Sequence, residues 1–458
     1  MMDFAAPAGG CAVRMYRQGL GDCFLLAFAD LEGGQKRLLI DCGVLVGTKD
    51  ARQRMQAVVG DIRQATGGRL DILVVTHEHW DHVSGFVQAR KEFERLEIGQ
   101  VWLAWTEDEN DPLARELRER HRSALRALGL AQTRWRKAHP EADSGLSARV
   151  EALLGFYGPG LATQGGSLTQ DAMDWVKDRH PQPIYLKPGG EPAVIPGLEG
   201  PRFYVLGPPL DPKLIYKGDP AKGSGEVYLG DLSQGWPGLQ FGVLEAEAGA
   251  AEPPPPFNPA YRFWGDAPHR MQIEDRYRSE PWRTIDQDYL DAVGQLALML
   301  DNHTNNTSLA MAIELTPGRA VLLFPGDAQR GNWSSWETVR WTGAGAGTTT
   351  QDLLGRTVLY KVGHHGSHNA TARGLGLELM NHPGLAALIP VDRETAAQKR
   401  WQMPYPPLFR RLLERTGGRL LLSDRGWEVD PAAPAVAEFA ARCRETELYF
   451  EVAFPPAT

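Results

Sequence analysis

Within six residues, His77-Glu78-His79-Trp80-Asp81-His82 places three imidazoles and a carboxylate in the pattern H-x-H-x-D-H. Imidazole nitrogens and carboxylate oxygens suit Zn²⁺ or a similar divalent ion. The apolar run Ile72-Leu73-Val74-Val75 just ahead reads as a buried strand. Side chains at the end of such a strand sit on a rigid element at the rim of a sheet, where a metal site is held in place.

Three further segments are built alike. Arg37-Leu38-Leu39-Ile40-Asp41-Cys42-Gly43 is a strand pattern ending in an acid and a glycine. Ala320 to Asp327 ends the same way, in Pro325-Gly326-Asp327. Val358-Leu359-Tyr360-Lys361-Val362-Gly363 runs into His364-His365-Gly366-Ser367-His368. Four strands that each deliver Asp or His at the C-terminal end are enough to build two adjacent metal sites.

In this combination the chain resembles the metallo-β-lactamase superfamily. The resemblance implies an α/β fold, a four-layer αβ/βα sandwich carrying two divalent metal ions, Zn or Mn. It implies that His77 and His79 hold the first ion, that Asp81 and His82 hold the second, and that Asp327 bridges them. One of His364 and His365 completes the second site. Asp41 is expected behind the ligands, where a carboxylate orients a ligand histidine. For the third ligand of the first site, His303 stands at close to the superfamily's spacing before Asp327; the alternative leaves it in a loop near substrate, with Asn305-Asn306 in that place.

Several segments are similar to the hydrolase domain of ComEC-type DNA-uptake proteins. They are Gly19-Leu20-Gly21-Asp22-Cys23-Phe24-Leu25-Leu26, Asn305-Asn306-Thr307-Ser308-Leu309, His364-His365-Gly366-Ser367, and the tail from Met403-Pro404-Tyr405-Pro406 to Leu420-Leu421-Leu422-Ser423-Asp424-Arg425-Gly426. Bacterial phosphorylcholine esterases on the same fold share several of these features. Two departures stand out: every ligand of H-x-H-x-D-H is kept here, and Met403 stands where those domains tend to have His before Pro.

The positioning elements follow from periodicity. Residues 12–104 read as strand, strand, helix, strand, metal loop, helix, strand. Met55, Val58, Val59 and Ile62 recur at i, i+3, i+4 and i+7, which predicts a helix over 55–65. Val83 to Phe93 is the expected helix after the metal loop. The core is expected to span 10–430, interrupted by a helical insertion at 105–183 and a loop-rich insertion at 213–302, with a C-terminal extension at 431–458. Asp111-Pro112 is a good helix start. The arginines that follow read as a solvated face balanced by Glu116 and Glu119. The first insertion is expected as a cap over the site. In the second, Ala246 to Pro256 has the composition of an exposed loop, flanked by Trp236, Phe241, Phe257, Tyr261, Phe263, Trp264, Tyr277 and Trp282. Those aromatics read as a packing latch, with a surface for a protein partner as the alternative.

Composition narrows the classes. Charged residues are 23% and hydrophobic residues 42%, as in a globular protein. No apolar run of about 18 residues is present, so no membrane insertion is expected. Met1 to Gly10 lacks a signal-peptide pattern. Cys11, Cys23, Cys42 and Cys443 show no C-x-x-C spacing and fit a reducing cytoplasm. The net charge of −8 gives no general attraction to nucleic acid.

The expected function is a metal-dependent hydrolase, a phosphodiesterase or nuclease in which a metal-bound hydroxide attacks phosphorus in line. Its substrate is a phosphodiester, with nucleic acid one form. Asp81, Asp327 and His365 are the expected catalytic residues. Lys361, His368 and Asn306 are candidates for substrate contact. Two alternatives stand beside it: a hydrolase of acyl esters, lactones or thioesters on the same fold, and an interaction protein with a vestigial site.

Overall fold

The computed structural model describes residues 4–30, 32–138, 151–159, 168–217 and 285–455. These fall into two compact units. The first lies within 1–118, 155–232 and 301–458, and the second within 119–154 and 233–300. The described part of the second unit is helical.

The first unit is built on two mixed sheets. One runs β1 (Cys11–Tyr16), β2 (Cys23–Ala29), β3 (Gln35–Cys42), β4 (Arg69–Val75), β5 (Glu97–Ala104) and β6 (Ile184–Leu186) in sequence order across the sheet. The other runs from β7 (Arg202–Gly207) through β8 (Ala310–Glu314), β9 (Val321–Phe324), β10 (Thr357–Lys361), β11 (Ala386–Ile389) and β12 (Leu420–Leu422) to β13 (Gly426–Trp427). The first sheet is completed by β14 (Cys443–Glu445) and β15 (Tyr449–Phe454), with β15 antiparallel to β1 from Cys11↔Phe454 to Tyr16↔Tyr449. The segment 431–458, set apart in the sequence as an extension, thus supplies two strands of that sheet.

The period-two alternation of β2 shows how the layers form. Phe24, Leu26 and Phe28 point into the core between the sheets, while Cys23, Leu25, Ala27 and Ala29 pack on the outer face. Phe24 meets Phe324 of β9 edge to face at 5.6 Å, and Phe28 meets Phe203 of β7 at 5.7 Å, so the two sheets share one apolar core. Outside the first sheet lies helix Ala51–Ala65, which buries Met55, Val58, Val59 and Ile62, the expected stripe. Beside it helix Leu168–Lys177 buries Ala172, Met173 and Val176. Outside the second sheet, Leu408 and Leu412 of helix Pro406–Thr416 and Leu353 and Leu354 of helix Thr350–Gly355 belong to one buried apolar cluster. The result is the expected four-layer αβ/βα sandwich. Truncating one such buried Leu to Ala costs about 2–5 kcal/mol.

Two expectations change. The single helix foreseen over 83–93 is three short turns, 80–83, 85–88 and 90–93. Gly85 presses against β3, where a Cβ would lie 2.6 Å from Cys42 Sγ, and Ala89 leaves helical geometry. Within the first insertion, helix Leu168–Lys177 belongs to the outer layer of the first sheet, whereas Phe156 and Tyr157 approach His79. The helix start at Asp111 is as expected, its Oδ1 accepting from the N–H groups of Leu113 (2.9 Å) and Ala114 (3.2 Å). The segment Ala246–Pro256 and its flanking aromatics lie outside the described residues. No helix among the described residues is long and apolar enough to cross a membrane.

Strands β3 to β6 are parallel to one another, as are β9 to β12. The C-terminal ends of β3 and β4 in one sheet, and of β9 and β10 in the other, carry the polar side chains that meet at the site, the usual place for function in α/β sheets.

Candidate metal centre

Asp41 organises the loop that follows β4. It is the penultimate residue of β3, lies in the left-handed region, φ 56°, and is fully buried. Its Oδ1 accepts the Thr76 N–H at 2.7 Å. Its Oδ2 accepts the Thr76 hydroxyl at 2.6 Å and faces His82 Nδ1 at 2.8 Å. The backbones of β3 and the metal loop touch as well: a Cβ on Gly43 would come within 2.5 Å of His82 N.

These bonds assign the tautomers. Thr76 gives its one hydroxyl proton to Asp41, so its oxygen accepts from His77 Nδ1–H at 3.0 Å. His82 donates its Nδ1 proton to Asp41. His365 donates Nδ1–H to the Pro390 carbonyl at 2.6 Å. The opposite nitrogen of each ring therefore presents a lone pair. His82 Nε2 faces Asp327 Oδ2 at 3.1 Å, and His365 Nε2 faces Asp81 Oδ2 at 2.8 Å. His77 Nε2 faces His79 Nδ1 at 3.1 Å. A lone pair against a carboxylate oxygen at such distances needs a proton or a cation between them. Ligand atoms of Asp81, His82, Asp327 and His365 all lie within 4.8 Å of one another, and all four side chains are buried.

The electrostatics agree. Burial disfavours charge on His82, but the carboxylates of Asp327, Asp22, Asp81 and Asp41 outweigh it and raise its pKa well above the usual imidazole value. His365 is likewise raised: burial opposes it, and the Asp81 hydrogen bond and Asp327 prevail. Burial drives His79 down to about 3, and burial with the neighbouring His82 and His79 rings holds His77 far below its usual value. Neutral imidazole is the form that ligates metal. Asp301, pushed up to about 8 by burial and then by Asp81 and Asp327, adds to a local excess of acid.

Asp327 has divided duties. Its Oδ1 takes Lys361 Nζ at 3.1 Å and the His364 N–H at 2.8 Å, while Oδ2 is buried with no hydrogen bond and faces the cluster. A second acidic grouping, Asp22, Asp41 and His82, is internally engaged: Lys361 pairs with Asp22, and Thr76 with Asp41.

The structure separates the two histidines after β10. His365 points its Nε2 at Asp81. His364 contributes its backbone N–H to Asp327, and its Nδ1 is engaged by Gln329 Nε2 at 3.2 Å and Ser367 Oγ at 2.9 Å. Both residues have positive φ, 42° and 52°. Such conformations cost of the order of 1–3 kcal/mol each and cluster at functional sites; here they aim two neighbouring residues in different directions.

Three of the candidate residues make other contacts. His303 does not join the cluster. It stacks on Tyr216, ring centroids 4.6 Å apart, and burial lowers its pKa to about 4. The helix Ile285–Asn306 turns about 100° per residue, so Asp301, two residues earlier, lies on nearly the opposite face and looks at His79. Lys361 has its ammonium buried against Asp22, Asp327 and the Gly326 carbonyl. Asn306 is structural: its Nδ2 donates to the carbonyls of Ile215 (3.2 Å) and Lys217 (3.1 Å), and its Oδ1 accepts from Asn332 N. His368 stands half-buried, its ring 6.2 Å from that of Tyr405. Asp22 and Asp301 were missed in the sequence. Asp22 sits in a strand-opening pattern, and Asp301 is signalled only by an acid following Leu298-Met299-Leu300 with Asn305 four residues on.

The donor set fits divalent cations: imidazole nitrogens and carboxylate oxygens, with no thiolate in the cluster. No curated protein matches the chain. The model of the Metallo-beta-lactamase superfamily matches residues 16–94, the stretch from the end of β1 through the His77–His82 loop, and the two-sheet sandwich described above is consistent with that superfamily's fold.

Proposed function

We propose that this chain is a metal-dependent hydrolase acting on phosphodiesters, with nucleic acid among its candidate substrates. The carrying observation is the convergence of Asp81, His82, Asp327 and His365 with lone pairs turned inward. The superfamily match supports hydrolysis, and the likeness of the 305–309, 364–367 and 403–426 segments to ComEC-type domains favours a phosphodiester. The buried carboxylates of Asp22, Asp41, Asp81 and Asp327 stand against the Lys361 ammonium, an excess of acid that divalent cations, Zn or Mn, would offset.

Bound cations supply Lewis acidity and bring the pKa of a coordinated water down towards about 7. The chain's own residues do the rest. His77, His79, Asp81, His82, His365 and Asp327 would hold the ions, Asp327 through the Oδ2 that faces the cluster. Thr76, Asp41 and Pro390 keep the rings of His77, His82 and His365 in the ligating tautomer. Lys361 and the His364 N–H keep Asp327 from rotating. His364 Nδ1 lies against Gln329 Nε2 at 3.2 Å and Ser367 Oγ at 2.9 Å, which leaves its Nε2 to meet a phosphoryl oxygen. His365 has both nitrogens engaged, which leaves His364 and the half-buried His368 to serve the leaving oxygen.

The test is hydrolysis of an activated phosphodiester, and of single- and double-stranded DNA and RNA, with Mn²⁺ or Zn²⁺, beside Asp81→Ala. Metal-dependent cleavage that the variant loses supports the reading. Turnover of acyl esters or lactones without phosphodiester cleavage would transfer the site to acyl chemistry.

A further inference from the structure

Each ring in the metal loop has an inner and an outer nitrogen. The outer nitrogens of His77, His82 and His365 are hydrogen-bonded to Thr76, Asp41 and Pro390. His79 is the exception. Its Nε2 is buried with no hydrogen bond, and the atom that faces it, at 3.9 Å, is Asp301 Oδ1, also buried with no hydrogen bond. A buried polar atom left unsatisfied costs about 1–3 kcal/mol, and here two such atoms stand opposite one another.

Tautomer chemistry links them. His79 Nδ1 faces the His77 Nε2 lone pair at 3.1 Å. Without a cation, His79 satisfies that contact by carrying its proton on Nδ1, which leaves Nε2 bare towards Asp301. If His79 instead turns a lone pair inward, its proton must move to Nε2 and becomes a donor aimed at the Asp301 carboxylate. Asp301 is itself held. Its Oδ2 accepts from Asn305 Nδ2 at 3.1 Å, one helical turn on, so Oδ1 remains directed at His79. The same bond orients the Asn305 amide and leaves its Oδ1 as a buried, unengaged acceptor.

We propose that Asp301 is the positioning residue for His79: its carboxylate takes the Nε2–H and fixes the Nδ1-ligating tautomer when His77 and His79 hold a divalent cation. This role rests on the metal-dependent reading above. It does for His79 what Asp41 does for His82, from a helix of the C-terminal half rather than from the neighbouring strand.

The experiment is equilibrium binding of Zn²⁺ to the full chain, measured by chelator competition for wild type, Asp301→Asn and Asp301→Ala, with the absorption spectrum of each Co²⁺-loaded form. Loss of an outer partner to a metal-ligating histidine typically weakens affinity about 10–100-fold. Asp301→Ala is expected in that range. Asp301→Asn, near-isosteric and still able to accept through Oδ1, is expected in between. The Co²⁺ bands of Asp301→Asn at saturation should keep the wild-type position and intensity, because the ligating atoms are unchanged. Wild-type affinity in both variants overturns the role. Altered Co²⁺ bands in Asp301→Asn also overturn it, by making Asp301 a ligand. Wild-type protein that takes up no cation brings down the metal reading itself, a result distinct from either of these.

Discussion

Lys361 Nζ lies 3.1 Å from Asp327 Oδ1 and 2.9 Å from the Gly326 carbonyl, and it pairs with Asp22 on its remaining side. A buried ammonium on the last residue of β10 is thus spent on holding one oxygen of the carboxylate whose other oxygen faces the cluster. Burial opposes its charge, and Asp22 and Asp327 outweigh that penalty and raise its pKa. Removing one partner of such an arrangement strands buried charge and costs about 3–5 kcal/mol. Lys361→Met should destabilise the cation-free protein by about that amount in urea unfolding at neutral pH. An unchanged midpoint would show that Asp22 and Asp327 do not depend on it.

Asp41 bonds to Thr76 twice and to His82 once. Asp41→Asn should lower divalent-ion affinity about 10–100-fold, because an amide oxygen and an NH₂ group cannot replace two acceptor oxygens. Calorimetric titration checks this. Affinity equal to wild type would mean that the loop is held by the β4 backbone alone.

His303→Gln separates two views of helix Ile285–Asn306. The ring stacks on Tyr216 and is not among the side chains that converge on Asp81 and Asp327. Metal stoichiometry and affinity should match wild type, with any loss confined to thermal stability. A missing cation in elemental analysis would return His303 to the ligand set.

The pH dependence of metal binding has a defined sign. In the cation-free protein the pKa values of His82 and His365 are raised above the usual imidazole value of about 6.5. Around neutral pH these rings hold protons that a cation must displace. His77 and His79, held low, do not compete. Apparent affinity should therefore climb with pH between roughly 6 and 9 and fall in acid, with proton release on binding. Calorimetry in buffers of different ionisation enthalpy reads the released protons. A flat profile with no release would show that the inward nitrogens are already bare.

Much of the centre was legible because it is local. The run Ile72–Val75 ending in H-x-H-x-D-H fixes strand, loop and several side chains in one stretch, and the alternation in β2 fixes its two faces. What was hidden depends on angles and on distant pairing. Spacing before Asp327 pointed to His303, but helical twist turns Asp301 towards His79. Sequence alone left His364 and His365 equivalent, and two positive-φ backbones in succession separate them. Lys361 looked available because its partners, Asp22 and Asp327, are 339 and 34 residues away in the chain. The pairing of β15 with β1, across nearly the whole sequence, carries no local signal at all.

The most direct test of the account is the metal content of the purified chain after equilibration with Zn²⁺ or Mn²⁺ and removal of free ion, measured beside Asp327→Ala. Wild type should retain about two divalent ions per chain, the number the proposed ligand set would hold, and Asp327→Ala, which loses a carboxylate from that set, should retain fewer. Wild-type protein that holds no divalent ion under these conditions, while correctly folded, would contradict the central claim.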